Sequence, residues 1–190
     1  ENSYAGTKSL ASSISFYGNK TITSGEGGAV ITQDRELYGF LERMHGQGQT
    51  STRFIHDLLA HNYRMTNVQA AILSAQIEDA QWILNKKTEI FERYKSNLKK
   101  HQKVKVQKVD DNCSHSTWMF GIRIPNNLSY QFFREHMNNY GIEVRPMFYP
   151  MSSHTHLKKY ANPKDESVAK LLSKECAILP SYPDKLPFLA

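Results

Sequence analysis

The sequence predicts an α/β chain in two parts, the end of a large α/β domain over residues 1–80 and a small α+β domain over residues 81–190. Three observations lead there. Short apolar runs flank a glycine-rich turn near the N-terminus; one long helical pattern runs from about Thr66 to Lys100; beyond it, strand-like and helix-like runs alternate.

The first strands are expected at Ile14-Ser-Phe16 and Ala29-Val-Ile-Thr32, joined through Gly25-Glu-Gly-Gly28. Asp34 is placed to cap a helix through Glu36, Leu37, Phe40, Leu41 and Met44, which Gly46 and Gly48 stop. Thr66, with Gln69 three residues on, has the capping-box pattern. Val68, Ile72 and Ala75 form one stripe of the helix that follows, and Leu84, Lys87, Phe91, Tyr94 and Leu98 continue a stripe further along. That run exceeds the usual length of a helix, so a bend or break is expected near Asp79–Trp82, where the chain passes into the second domain.

There, Val104-Lys-Val106 alternates and Trp118–Ile124 has strand character. Pro125-Asn-Asn127 reads as a turn, and Ser129 caps a helix through Phe132, Phe133 and Met137. Gly141-Ile-Glu-Val-Arg145 reads as a short strand ended by Pro146 and Pro150. Glu166–Cys176 is the last expected helix, with Val168, Leu171, Leu172 and Cys176 as its apolar side.

Composition narrows the class. Of 190 residues, 39% are hydrophobic and 22% charged, the balance of a globular protein. No run approaches the ~20 apolar residues of a membrane span, and no basic segment leads into an apolar one at the N-terminus. Cys113 and Cys176 are too few for a disulfide framework, which makes a reducing cytoplasm the default compartment. The net charge of +6 suits anionic small molecules and nucleic acid equally. The doublets Lys86-Lys87, Lys99-Lys100 and Lys158-Lys159 read as solvated surface, and no nucleic-acid-reading motif is present. His154-Thr-His156 has the spacing of a clamp on a strand, but no Cys or carboxylate falls at ligand spacing, so no metal is expected.

The segment Ser15-Phe-Tyr-Gly-Asn-Lys20-Thr-Ile-Thr-Ser-Gly-Glu-Gly-Gly28 is the most informative. A lysine between a strand end and a turn can form an imine with an aldehyde cofactor and later shuttle a proton. Ser15, five residues earlier, can donate to a phosphate if the segment curls back, and the glycines permit a tight turn close to a ligand. The same residues also describe a surface lysine beside a hairpin. Gly18-Asn-Lys20-Thr21 lacks the Gly-Lys adjacency of a P-loop.

This segment closely resembles the active-site lysine segment of the DegT/StrS-type nucleotide-sugar aminotransferases. Three further blocks are similar to that family in order and spacing. The first comprises Arg43-Met-His-Gly46, Phe54-Ile-His56 and His61-Asn-Tyr-Arg-Met-Thr-Asn-Val-Gln-Ala-Ala71; the others are Gly141-Ile-Glu-Val-Arg-Pro-Met-Phe-Tyr-Pro150 and Leu179-Pro-Ser-Tyr-Pro183. The resemblance implies fold type I aminotransferase architecture and pyridoxal 5'-phosphate (PLP) as cofactor. It implies Lys20 as the lysine that holds PLP, Ser15 as a phosphate contact, and Asn62 as a contact to the cofactor phosphate of a neighbouring subunit, hence a homodimer with shared active sites. His56, Arg145 and Tyr149 become the candidate substrate residues, Arg145 suiting a diphosphate or carboxylate.

The implied reaction aminates a nucleotide-linked keto-sugar, a 4-keto-6-deoxy hexose, with glutamate as donor. The family's partner for the cofactor's pyridine nitrogen belongs to a part preceding Glu1, and Lys8-Ser-Leu-Ala-Ser12 stands where members carry a Gly-Asp pair. The chain is accordingly expected to be the C-terminal portion of a longer enzyme. A non-catalytic regulatory or nucleic-acid-binding protein on the same scaffold is the alternative.

Overall fold

In the computed structural model, which describes residues 3–125, 128–162 and 166–183, the chain opens on an antiparallel strand pair. Strand β1 (Ala11–Ser15) pairs with β2 (Gly28–Thr32), with Ala11 opposite Thr32 and Ser15 opposite Gly28. β1 thus begins earlier than the apolar run Ile14–Phe16 suggests, because backbone pairing recruits the polar residues Ser12 and Ser13.

Helix α1 (Arg35–His45) starts at Asp34, whose carboxylate accepts from Leu37 N at 2.9 Å, and ends at Gly46. Helix α2 (Asn67–Glu78) starts at Thr66 with the reciprocal bonds of a capping box: Gln69 N to Thr66 Oγ1 at 3.3 Å and Thr66 N to Gln69 Oε1 at 3.0 Å. The helical run breaks at Asp79, and α3 (Ala80–Leu98) carries the chain from a first unit, Glu1–Ile83, into a second, Leu84–Ala190.

The second unit is built on a four-stranded antiparallel sheet in the order β3-β4-β6-β5, with β3 Lys105–Val106, β4 Phe120–Arg123, β5 Arg145–Pro146 and β6 Cys176–Leu179. Helix α4 (Tyr130–Asn138) is capped by Ser129, which accepts from Phe132 N, and α5 (Ser167–Glu175) runs directly into β6. Phe91, Phe120, Ile122, Ile124, Val144, Ala177 and Leu179 form the core, with Tyr94, Leu98, Tyr130, Phe133 and Met137 packed against it. The Phe91 and Phe120 rings meet edge to face at 5.0 Å, and Tyr94 stacks on Phe120 at 4.7 Å.

Several expectations are corrected. Cys176 is the first residue of a buried strand rather than the end of the last helix, and the apolar side of α5, Val168, Leu171 and Leu172, is exposed. The strand expected over Gly141–Arg145 is confined to Arg145–Pro146, because Gly141 turns with φ +71° and pairing starts only where Arg145 faces Ile178. Pro146 is tolerated there because β5 is an edge strand. Of the Pro125-Asn-Asn127 turn, Asn126 and Asn127 lie outside the described residues. No helix among the described residues is long and apolar enough to cross a membrane.

Candidate active site

Lys20 sits in the loop that joins β1 to β2, and that loop is closed by its own polar groups. Phe16 is the organising residue. Its N–H donates to Gly27 O at 2.9 Å, continuing the ladder one step, and its carbonyl accepts from Ser24 N and Thr23 Oγ1, both at 2.9 Å. Ser24, only 2% exposed, donates from Oγ to Glu26 O at 2.6 Å. Lys20 N donates to Tyr17 O at 2.9 Å, so the lysine ends a tight turn and its side chain is half-buried.

Two glycines are required by this packing. A Cβ on Gly27 (φ +141°) would meet Ser24 Oγ at 2.7 Å and Met65 Cε at 2.8 Å, and one on Gly28 would meet Ile14 O at 2.8 Å. Ser15 Oγ accepts from Tyr17 N at 3.4 Å, which leaves its own O–H as a donor. Ser15 is exposed at the end of β1. The structure therefore places a donor hydroxyl at the strand end where the loop begins and a primary amine within that loop.

His56 and Asn62 belong to a second loop of the same unit, following α1. Asn62 forms an isolated bridge with Gly46, and His56 one with Gln49. The two are linked through Gln47, whose N–H donates to His61 O at 2.9 Å and whose carbonyl accepts from His56 Nδ1 at 2.9 Å. Arg43 and Asp57 pair across the same loop. His56 and Asn62 have exposed side chains.

Arg145 and Tyr149 lie in the second unit. Arg145 contacts Glu143 through Nε at 3.3 Å and donates from Nη2 to the Tyr182 hydroxyl at 3.3 Å. Tyr149 is exposed beside Phe148, which stacks on Trp118 with ring centroids 6.1 Å apart. Among the described residues no group of three His, Cys, Asp or Glu side chains is placed to hold a metal; His154 and His156 lie in a turn between short 3-10 segments, not on a strand.

Sequence reasoning missed the residues that build these loops. Ser24, Thr23 and Met65 shape the Lys20 loop, yet isolated polar residues in a turn carry no periodic signal. Lys87, read as part of a solvated doublet, is buried, while its neighbour Lys86 pairs with Glu89 at the surface. The available signal was its place on the apolar stripe with Phe91 and Tyr94.

Residues 1–186 match the DegT/DnrJ/EryC1/StrS aminotransferase family. The chain is 39% identical over 184 residues to a GDP-perosamine synthase of Escherichia coli, covering 95% of this chain and 49% of that protein. It is 36% identical to a GDP-perosamine synthase of Vibrio cholerae, covering 94% of this chain and 49% of that one. The chain thus spans about half the length of the curated relatives it matches.

Among solved structures, it shares its fold with Helicobacter pylori PseC, described as an aminotransferase involved in pseudaminic acid biosynthesis, with a TM-score of 0.88 at 22% identity over 99% of this chain and 52% of the other. An Escherichia coli GDP-4-keto-6-deoxy-D-mannose-3-dehydratase with bound hydrated PLP gives a TM-score of 0.82 at 22% identity, covering 97% of this chain and 53% of that one. The α/β fold is that of about half an aminotransferase chain. The chain belongs to the DegT/DnrJ/EryC1/StrS aminotransferase family.

Proposed function

We propose that the whole protein is a PLP-dependent aminotransferase that converts a nucleotide-linked keto-sugar, a 4-keto-6-deoxy hexose, to the amino sugar with glutamate as donor. Residues 1–80 complete its cofactor-binding domain and residues 81–190 form its small domain. The observation that carries this reading is the closed loop with Lys20 and Ser15, in a chain of an aminotransferase family. The names of the relatives at 39% and 36% identity favour a GDP-linked sugar.

The donor set fits PLP. An amine for the aldehyde lies in the loop and a hydroxyl for the phosphate at the strand end where the loop begins, and the loop's fold depends on Gly27 and Gly28. When bound, PLP supplies the electron sink that lets an amino group leave one carbon and join another. Lys20 Nζ holds the cofactor, then takes a proton at the donor's α-carbon and returns one at the sugar carbon. Ser15 donates to the cofactor phosphate from one protomer, and Asn62 reaches the phosphate of the partner in a homodimer. Arg145 offers a guanidinium fork to the diphosphate, and His56 and Tyr149 flank the sugar.

Borohydride reduction of the PLP-loaded full-length protein, followed by peptide mass spectrometry, tests this. The cofactor mass is expected on the peptide containing Lys20, and glutamate is expected to convert the cofactor to its amine form. Lys20→Ala and Lys20→Arg are expected to abolish turnover with the far-UV circular dichroism unchanged. A full-length protein that takes up no PLP, or that is labelled on another lysine, would refute the reading.

A further inference from the structure

The second unit buries a lysine that the proposed reaction does not use. Lys87 is 5% exposed, and its Nζ donates to Trp118 O at 2.6 Å, Ser181 O at 2.7 Å and Ser181 Oγ at 3.0 Å. The ammonium also lies 5.7 Å from the centroid of the Phe91 ring. Seven residues on, and so on the same side of α3, the Tyr94 hydroxyl donates to Pro180 O at 2.8 Å. One helix thereby grips two successive carbonyls, Pro180 and Ser181, just where the chain leaves β6.

The next residue is Tyr182, whose hydroxyl accepts from Arg145 Nη2. Arg145 arrives from β5, opposite Ile178 of β6. Its guanidinium is therefore set from two directions, by the strand it sits on and by the tyrosine that follows the clamped segment. On the other side Glu143 takes the Nε donor. These two contacts use two of the five N–H donors of the fork.

Packing alone does not account for a lysine here. Burying an ammonium costs more than burying a methionine of similar length, and the cost is offset only when every donor finds an acceptor. Three acceptors surround Nζ, and two belong to Ser181. We infer that Lys87 is a positioning residue: by fixing Ser181, and through it Tyr182, it holds the Arg145 guanidinium in the orientation that receives a nucleoside diphosphate. The inference rests on the proposed role of Arg145 as the diphosphate contact.

Calorimetric titration of GDP into the PLP-loaded full-length protein tests it. Arg145→Met is expected to weaken GDP binding by about tenfold or more, and Lys87→Met by about tenfold. Because both act through one guanidinium, the double variant is expected to bind no more weakly than Arg145→Met alone. In turnover the Lys87→Met loss is expected in KM for the nucleotide-sugar rather than in kcat. If Lys87→Met does not fold, Lys87→Gln, which keeps a donor of shorter reach, takes its place in the same cycle.

GDP affinity that is unchanged in the Lys87 variant, or losses that add in the double variant, would overturn the role of Lys87. Unchanged affinity in Arg145→Met would instead overturn the reading of Arg145. The two failures are therefore distinct.

Discussion

Gly48 and Lys87 are each tightly constrained by their surroundings. Gly48 is buried with φ +69°, and a Cβ there would clash with the Leu58 carbonyl oxygen. Backbone has no rotamer through which to move aside, so the loop carrying His56 and Asp57 must shift. Gly48→Ala is expected to destabilise the protein by about 3 kcal/mol, combining the positive-φ penalty with the clash; thermal denaturation measures it. Lys87 offers a pH test. Burial lowers its pKa from 10.5 to about 8. Above pH 8 the folded state sheds a proton that the unfolded chain retains until about 10.5, so this group makes stability rise with pH across that window. Between about pH 7 and pH 9 the gain is of order 1 kcal/mol. Urea denaturation of wild type and Lys87→Met at both values should show this difference; equal slopes would contradict it. The sequence showed half of this residue. The apolar stripe placed Lys87 beside Phe91 and Tyr94, but the doublet with Lys86 suggested solvent. What buries Lys87 is a set of acceptors 31 and 94 residues away, which no local pattern encodes.

At the scale of elements, what was legible depended on whether the signal was local. The helix starts at Asp34, Thr66 and Ser129 were readable because a cap is a contact between residues three apart. The break at Asp79 was readable because a helical run of that length rarely stays unbroken. Strand β6 was not readable. Cys176-Ala-Ile-Leu179 is a continuous apolar run attached to a helix without a turn, and such a run is indistinguishable from one more helical turn. Its strand character comes from β4 and β5 on either side, which pair with it from far along the chain. The Lys20 loop was half legible in the same sense. Its motif named the lysine and the glycines, while the Phe16 and Ser24 bonds that close the loop became visible only in the fold. The centre of β6 makes a direct test. Ala177 is 0% exposed, between Ile122 of β4 and Pro146 of β5. Ala177→Val adds volume where neither neighbouring strand can yield freely, and a loss of about 1–3 kcal/mol is expected in urea denaturation. Val168→Ala on the exposed side of α5 is expected to change stability by less than about 0.5 kcal/mol.

At the scale of the whole molecule, apolar burial is uneven. The core cluster lies within the second unit, while exposed apolar side chains occur in both, Leu10, Val30, Val68 and Ile72 in the first and Phe132, Ile142, Val168 and Leu171 in the second. The homodimer proposed above has Lys20 serve the cofactor of its own protomer and Asn62 that of the partner. The arrangement predicts complementation. Lys20→Ala and Asn62→Ala, each inactive or severely impaired as a pure full-length protein, are mixed, dissociated and reassociated. In a mixed dimer one site receives both defects and the other receives neither. With random reassembly about half the dimers are mixed and one of their two sites is intact, so activity should return to about a quarter of wild type. Sedimentation would confirm that reassociation had restored dimers. If Lys20 and Asn62 served the same site within one protomer, every site would keep one defect and mixing would restore nothing. Recovery on mixing therefore reports directly on whether the site is shared, independently of which sugar it accepts.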